Sequence, residues 1–224
     1  MRSVTVRIWD LPTRLFHWAL LAAVAGLFAT AYGPDTWILW HPRLGYAVLA
    51  LLLFRLAWGV VGGRWSRFAS FIQGPRAVLA YLRHAPGAPA SPGHNPLGAL
   101  AVVTLLAVLL AQVGTGLVSD DEIGFTGPLN HLVSSALGLA ATGWHKGWGQ
   151  WLIVGLVALH VAAIAFYRVV RRERLVGPML HGDKPLPAGT PASRDDALNR
   201  LLALVIFAAC AGLVWWLVQP APLA

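Results

Sequence analysis

The sequence predicts an all-α integral membrane protein, four helices forming a bundle with a fifth C-terminal transmembrane helix added to it. Three observations carry that prediction. First, 57% of the 224 residues are hydrophobic and only 12% are charged, and the mean hydropathy is +0.63, outside the range of soluble domains. Second, five apolar stretches, about 14–33, 41–62, 96–118, 147–167 and 199–218, reach the length that crosses a membrane, since a hydrocarbon core about 30 Å thick needs roughly 20 apolar residues. Third, the basic residues alternate between connections. Arg2, Arg7 and Arg14 precede the first stretch, Arg64, Arg67, Arg76 and Arg83 follow the second, and Arg168, Arg171, Arg172, Arg174, Lys184, Arg194 and Arg200 follow the fourth. Fourteen of the 17 Lys and Arg thus fall on one side, and the positive-inside rule puts the N-terminus in the cytoplasm and the C-terminus outside.

The elements follow in order. The first stretch mimics a signal peptide, with preceding arginines and Ala29-Thr30-Ala31, but its apolar run reaches towards Tyr32 and cleavage would discard His17. The second begins at His41 and contains Arg55. The third opens at Asn95-Pro96, a helix-entry signal. The fourth holds WGQWLIVGLVAL between His145 and His160. The fifth contains the lone Cys210, so there is no disulfide framework, no CxxCH attachment site and no CxxC knuckle. Covalent c-type haem and iron–sulfur clusters are excluded.

Two polar connections, 85–96 and 175–198, are rich in Pro and Gly and too short to fold alone. The chain therefore divides into a membrane domain, 1–182, and a linker with its C-terminal helix, 183–224. The acidic run Asp120, Asp121 and Glu122 falls in the longest outer loop. The net charge of +8 reads as topology and membrane-lipid contact, with no nucleic-acid role. Trp9, Trp37, Trp40, Trp65, Trp144 and Trp148 lie where an interfacial belt belongs.

Ionisable side chains at membrane depth are costly and usually face the bundle interior, so depth sorts the histidines. His17 and His160 share the cytoplasmic level, while His41 and His145, each at the start of a helix, share the outer level. Fifteen residues separate His145 from His160, a rise of ~22 Å that leaves both imidazoles within roughly 60° on one helix face. A bis-histidine haem takes one neutral imidazole from each side, and facing helices of a bundle supply them. His17 with His160, and His41 with His145, meet that need, which predicts two stacked haems b about 20 Å apart.

Arg55 follows His41 by ~21 Å on nearly the same face, close to the His17/His160 level, where a haem propionate would neutralise it. Arg43 and Lys146 stand ready for the outer haem. Gly45, Gly147, Gly149 and Gly155 leave room for a flat macrocycle. His84, His131 and His181 read as solvated, whereas His94, in GHNPLG, is a candidate for a quinone pocket.

At these residues the chain resembles the bacterial cytochrome b561 and nickel–iron hydrogenase b-type cytochrome family. The likeness rests on WDLPTRLFHW (9–18), HPRLGYAVLALLLFRLAWG (41–59), GHNPLGAL (93–100), GPLNHLVSS (127–135) and ALHVAAIAFYR (158–168), and covers about residues 4–182. It implies two non-covalent haems b ligated by His17, His41, His145 and His160, in the bacterial inner membrane. It also implies electron transfer between a periplasmic partner, a c-type cytochrome or a hydrogenase-like module, and quinone. Relatives usually space the two helix-four histidines by 14 and follow the first with Glu. Here the spacing is 15 and Lys146 follows; a loosened turn at Gly147 or Gly149 would absorb the extra residue.

Three functions are compatible with these residues. The chain is an electron-transfer subunit of an oxidoreductase system, or a superoxide:quinone oxidoreductase in its own right, steered by Arg43 and Lys146. The third is a haem-free transporter whose histidines bind a transition metal or relay protons.

Overall fold

The computed structural model describes residues 3–83 and 91–219. Arg2, His84 and residues 85–90 of the expected tether lie outside the described residues. Among the described residues, five helical segments are long and apolar enough to cross a membrane: Leu11–Tyr32, Asp35–Val61, Pro96–Val118, Ser135–Val169 and Ala197–Leu217. The protein is an all-α integral membrane protein, as its composition dictates. Leu15, Leu159, Leu204 and Trp215 stay exposed on these helices, which suits side chains whose solvent is lipid.

The chain begins with strand β1 (Ser3–Arg7) and helix α1 (Leu11–Tyr32), followed by a 3-10 turn at Asp35–Trp40 and α2 (His41–Val61). Short α3 (Pro75–Leu82) precedes α4 (Pro96–Val118). Next come α5 (Ser135–Trp144), a π turn at His145–Gly149 and α6 (Gln150–Val169), two helices joined across a kink at Gly147. Short α7 (Val176–His181), strand β2 (Asp183–Pro187) and α8 (Ala197–Leu217) complete the chain.

The helix starts have identifiable caps. The Asp10 carboxylate accepts the Thr13 N–H at 2.8 Å, Asn95 accepts Gly98 N–H at 2.7 Å, and Asp196 accepts Asn199 N–H at 2.8 Å. Each satisfies one of the four N–H groups a helix leaves unpaired at its start.

The residues fall into two compact units. The first comprises 1–18, 54–104 and 159–206. In it β1 pairs antiparallel with β2, Ser3 opposite Pro187 and Arg7 opposite Asp183. Residues 183–187, expected within a free polar linker, are therefore tied to the N-terminal segment. Arg7 bonds Asp183 and Asp195 at 2.6 Å each, and Arg200 also bonds Asp195 at 3.1 Å. Gly182 takes φ +93 so that its carbonyl can accept Ile8 and Trp9 N–H groups, and a Cβ there would lie 2.6 Å from the Trp9 carbonyl. Trp9, just before α1, is buried with Val6 and Ile8 against Trp65, Met179 and Leu186. The strand pair provides that cover, and nothing in the composition of 183–187 announces a strand.

Asp10 is the polar centre of this unit and is fully buried. Besides capping α1, its carboxylate accepts Ser66 O–H at 2.6 Å, Gly63 N–H at 3.2 Å and Trp58 Nε1–H at 3.2 Å. A buried charge with this many donors is held rather than penalised.

The second unit comprises 19–53, 105–158 and 207–224. Val48, Leu52, Val113, Leu117, Ile153 and Val214 are buried within it. The apolar pattern places the start of the fourth span near residue 147, with His145 at a helix boundary. A further helix, α5, precedes it from Ser135, capped by the Ser134 hydroxyl, and His145 sits where α5 meets the turn. The expected loosened turn is the π turn itself, where Gly147 leaves helical geometry at φ −107, ψ −110. One residue more than an α-turn is accommodated there.

Candidate haem sites

The first unit brings His17 of α1 and His160 of α6 together, with ring centroids 6.5 Å apart and planes inclined by 50°. The second unit brings His41 of α2 and His145 together at 6.1 Å and 83°. Two imidazoles that would share one metal, with bonds of about 2 Å and each centroid about 1.1 Å behind its nitrogen, would stand at most roughly 6.2 Å apart. Both observed separations lie within a few tenths of an ångström of that span.

The nitrogen partners test the fit further. His145 Nδ1 faces the Gln112 carbonyl at 2.8 Å, and His41 Nδ1 faces the Leu27 carbonyl at 3.1 Å with Thr30 Oγ1 at 3.3 Å. A carbonyl can only accept, so each Nδ1 carries the proton and each Nε2 keeps its lone pair free for a metal. His17 Nδ1 is buried with no partner among the described residues. The donor sets fit bis-imidazole haem.

Arg55 is buried in α2, its guanidinium carbon 4.7 Å from the Phe68 ring centre, within Coulombic reach of Asp10. Its Nη1 has no hydrogen-bond partner among the described residues. An unpaired buried guanidinium N–H suits a carboxylate. Arg43 lies over the Trp40 ring at 4.9 Å. Lys146 pairs with Asp121 at 2.9 Å. Asp121 also accepts the N–H groups of Gly124, Phe125 and Ile123, and those bonds, together with Lys146, hold its carboxyl well below the usual range.

The glycines divide. A Cβ on Gly45 or Gly155 would meet nothing within 4 Å, which leaves room beside α2 and α6. Gly149 does not provide macrocycle space as expected, because the Gln112 amide and Trp144 indole fill its side. The sequence alone does not single out Gly116, yet a Cβ there would lie 2.8 Å from His145 Cε1. Gln112 also escapes sequence reasoning. A polar residue inside the third apolar stretch is the signal that could have found it.

His94 is wedged between Trp9 and Phe71, with ring centroids at 4.7 and 4.4 Å. Burial, then the Arg55 charge, holds its imidazole down at about 3, so it is neutral at pH 7. Nearby, Asn95 Nδ2 donates to the Tyr167 hydroxyl at 2.6 Å, which shares a hydrogen bond with the Tyr81 hydroxyl at 2.7 Å. His131 and His181 are exposed.

The prokaryotic cytochrome b561 family profile matches residues 8–182. The chain is 23% identical to the probable Ni/Fe-hydrogenase 1 B-type cytochrome subunit of Escherichia coli K12 over 222 residues, 84% of this chain and 94% of that protein. It is 25% identical to the probable Ni/Fe-hydrogenase B-type cytochrome subunit of Azotobacter chroococcum mcd 1 over 219 residues, 81% of this chain and 89% of that protein. The corresponding subunit of Bradyrhizobium diazoefficiens is 23% identical over 214 residues, 80% of this chain and 86% of that protein. No solved structure matches the chain. With paired imidazoles inside apolar helices and a family match over most of its length, the chain belongs to the prokaryotic cytochrome b561 family: it is a membrane b-type cytochrome, binding haem b for electron transfer.

Proposed function

We propose that the chain binds two haems b, one between His17 and His160 and one between His41 and His145, and passes single electrons between a periplasmic redox partner and the quinone pool. The observation that carries this reading is the pair of imidazole separations, 6.5 and 6.1 Å, each suited to one iron. When bound, each haem supplies a reversible one-electron iron couple. The chain's own residues set the conditions for it. The carbonyls of Leu27 and Gln112 fix the tautomers of His41 and His145. Arg55 offers an unpaired N–H to a propionate, and its charge favours the reduced state of the haem it serves.

The partner is a c-type cytochrome or a hydrogenase-like module, the latter supported by the names of the three relatives above. Localisation in the bacterial inner membrane, N-terminus cytoplasmic and C-terminus periplasmic, rests on the distribution of arginines. Independent superoxide chemistry has less support, since the steering charge of Lys146 is paired with Asp121.

Haem counting on single variants tests the assignment. His17→Ala and His160→Ala each reduce two haems per chain to one, and so do His41→Ala and His145→Ala. The double variant His41→Ala/His145→Ala keeps one haem, whereas His41→Ala/His160→Ala keeps none. Full haem content in any single variant overturns that ligand.

A further inference from the structure

The π turn frees backbone carbonyls that an unbroken α-helix would satisfy, and two glutamine side chains answer them. Gln112 Nε2 donates to the His145 carbonyl at 2.9 Å, and Gln150 Nε2 donates to the Lys146 carbonyl. Gln112 does more than fill an acceptor, because its own backbone carbonyl takes the His145 Nδ1–H at 2.8 Å. One residue of α4 therefore holds both ends of His145, backbone and ring. Two glycines clear the way. Gly149 leaves space for the Gln112 amide beside Trp144, and Gly116 leaves space for the imidazole.

We propose that Gln112 is the positioning residue of the His41/His145 site: it locks the π turn that absorbs the extra residue in the 15-position spacing of His145 and His160, and so keeps the His145 ring facing His41. The inference rests on the reading that His41 and His145 ligate a haem. Every residue added to a helix advances the face by about 100°. Without the π turn the fifteen-position spacing would leave His145 about 60° round the helix axis from His160, rotated by one such step from its present direction toward His41. The turn is not self-sufficient, since an unpaired buried carbonyl is left without the hydrogen bond it would make in water. The Gln112 amide supplies that bond only when the turn is present, which couples the conformation to this one side chain.

The test is haem stoichiometry and low-temperature EPR of purified Gln112→Leu, alone and combined with deletion of Gly147. Leucine keeps the volume and the backbone carbonyl but loses the donor. Deleting Gly147 shortens the spacing to 14, takes away the residue that the turn absorbs and removes the need for a lock. In Gln112→Leu, affinity for the second-unit haem falls about 10–100-fold, the range for residues that orient a metal ligand, and its low-spin EPR signal is lost or shifted. The first-unit haem keeps its signal and reports that the chain is folded. In the Gln112→Leu/Gly147-deletion variant the second haem returns, a rescue that a merely packing role for Gln112 would not produce. Two haems with unchanged EPR in Gln112→Leu overturn the proposal, as does loss without rescue. His41→Ala run in parallel separates the two failures. If it leaves both haems in place, the ligand assignment is wrong, and if it removes one while Gln112→Leu removes none, only the positioning role is wrong.

Discussion

Replacing Gly116 by alanine adds one methyl group aimed at the ring of His145. The new Cβ would lie 2.8 Å from His145 Cε1 and 3.1 Å from Nδ1, while ordinary contacts begin at 3.4 Å. The ring must therefore retreat by about 0.6 Å, three times the roughly 0.2 Å tolerance of a metal–ligand bond. It cannot retreat freely, because Nδ1 is hydrogen-bonded to the Gln112 carbonyl at 2.8 Å and the His145 carbonyl is held by the Gln112 amide at 2.9 Å. The expected outcome is loss of the second-unit haem, at least a roughly tenfold fall in its affinity, with the first-unit haem unaffected. Haem per chain after detergent purification, with EPR to identify the survivor, reads this directly. A Gly116→Ala protein that holds two haems with unaltered spectra would refute the claim that His145 is a ligand in this geometry.

Other outcomes follow from the first unit. Asp10→Ala strips the acceptor from Ser66, Gly63, Trp58 and the start of α1, and should cost about 3 kcal/mol or more. Thermal unfolding in detergent measures it, and a variant as stable as the parent contradicts the buried role. Arg55→Gln removes a positive charge that opposes oxidation, so the midpoint potential of the nearby haem falls in a redox titration, and no change would separate Arg55 from the haem. Acid should loosen this unit. His94 titrates near 3 when folded against 6.5 when unfolded, so the unfolded chain takes up the proton first and stability declines as pH falls below 6.5. His94→Phe should flatten that decline, and an unaltered slope would exclude His94 as its source. Burial pushes the Asp195 carboxyl up, but hydrogen bonds from Arg200, Leu11 N–H and Arg7 outweigh it and leave the net shift downward. That stabilisation is present above 3.8 and lost as pH falls through the lower folded value. Asp195→Asn should lose the extra acid-induced change in tryptophan fluorescence, and retaining it would exonerate Asp195.

The five spans are legible in the sequence because lipid imposes a single requirement, about twenty apolar residues with few charges. The histidine pairs are legible for a related reason, since buried imidazoles are expensive and their depth can be read from helix rise. By sequence His41 and His145 are each placed at a helix boundary. The structure adds a helix, α5, before His145, and gives both imidazoles carbonyl partners. Those partners are hidden because Leu27 and Gln112 act through backbone oxygens, which every residue possesses. Gly147 and Gly149 are legible as a loosened turn, but not Gln112 as its lock, because its partner is 33 residues away. The β1–β2 pair escapes notice for the opposite reason. Prolines at 185 and 187 argue against a strand, and the register closes across most of the chain, from residue 3 to residue 187.

The two bis-histidine haems b proposed for this chain can be counted. A pyridine haemochrome assay with dithionite-reduced minus oxidised spectra on the purified protein tests that count most directly. Two b haems per chain with low-spin bands are expected; one haem or none would overturn the bis-histidine pairing of His17 with His160 and His41 with His145.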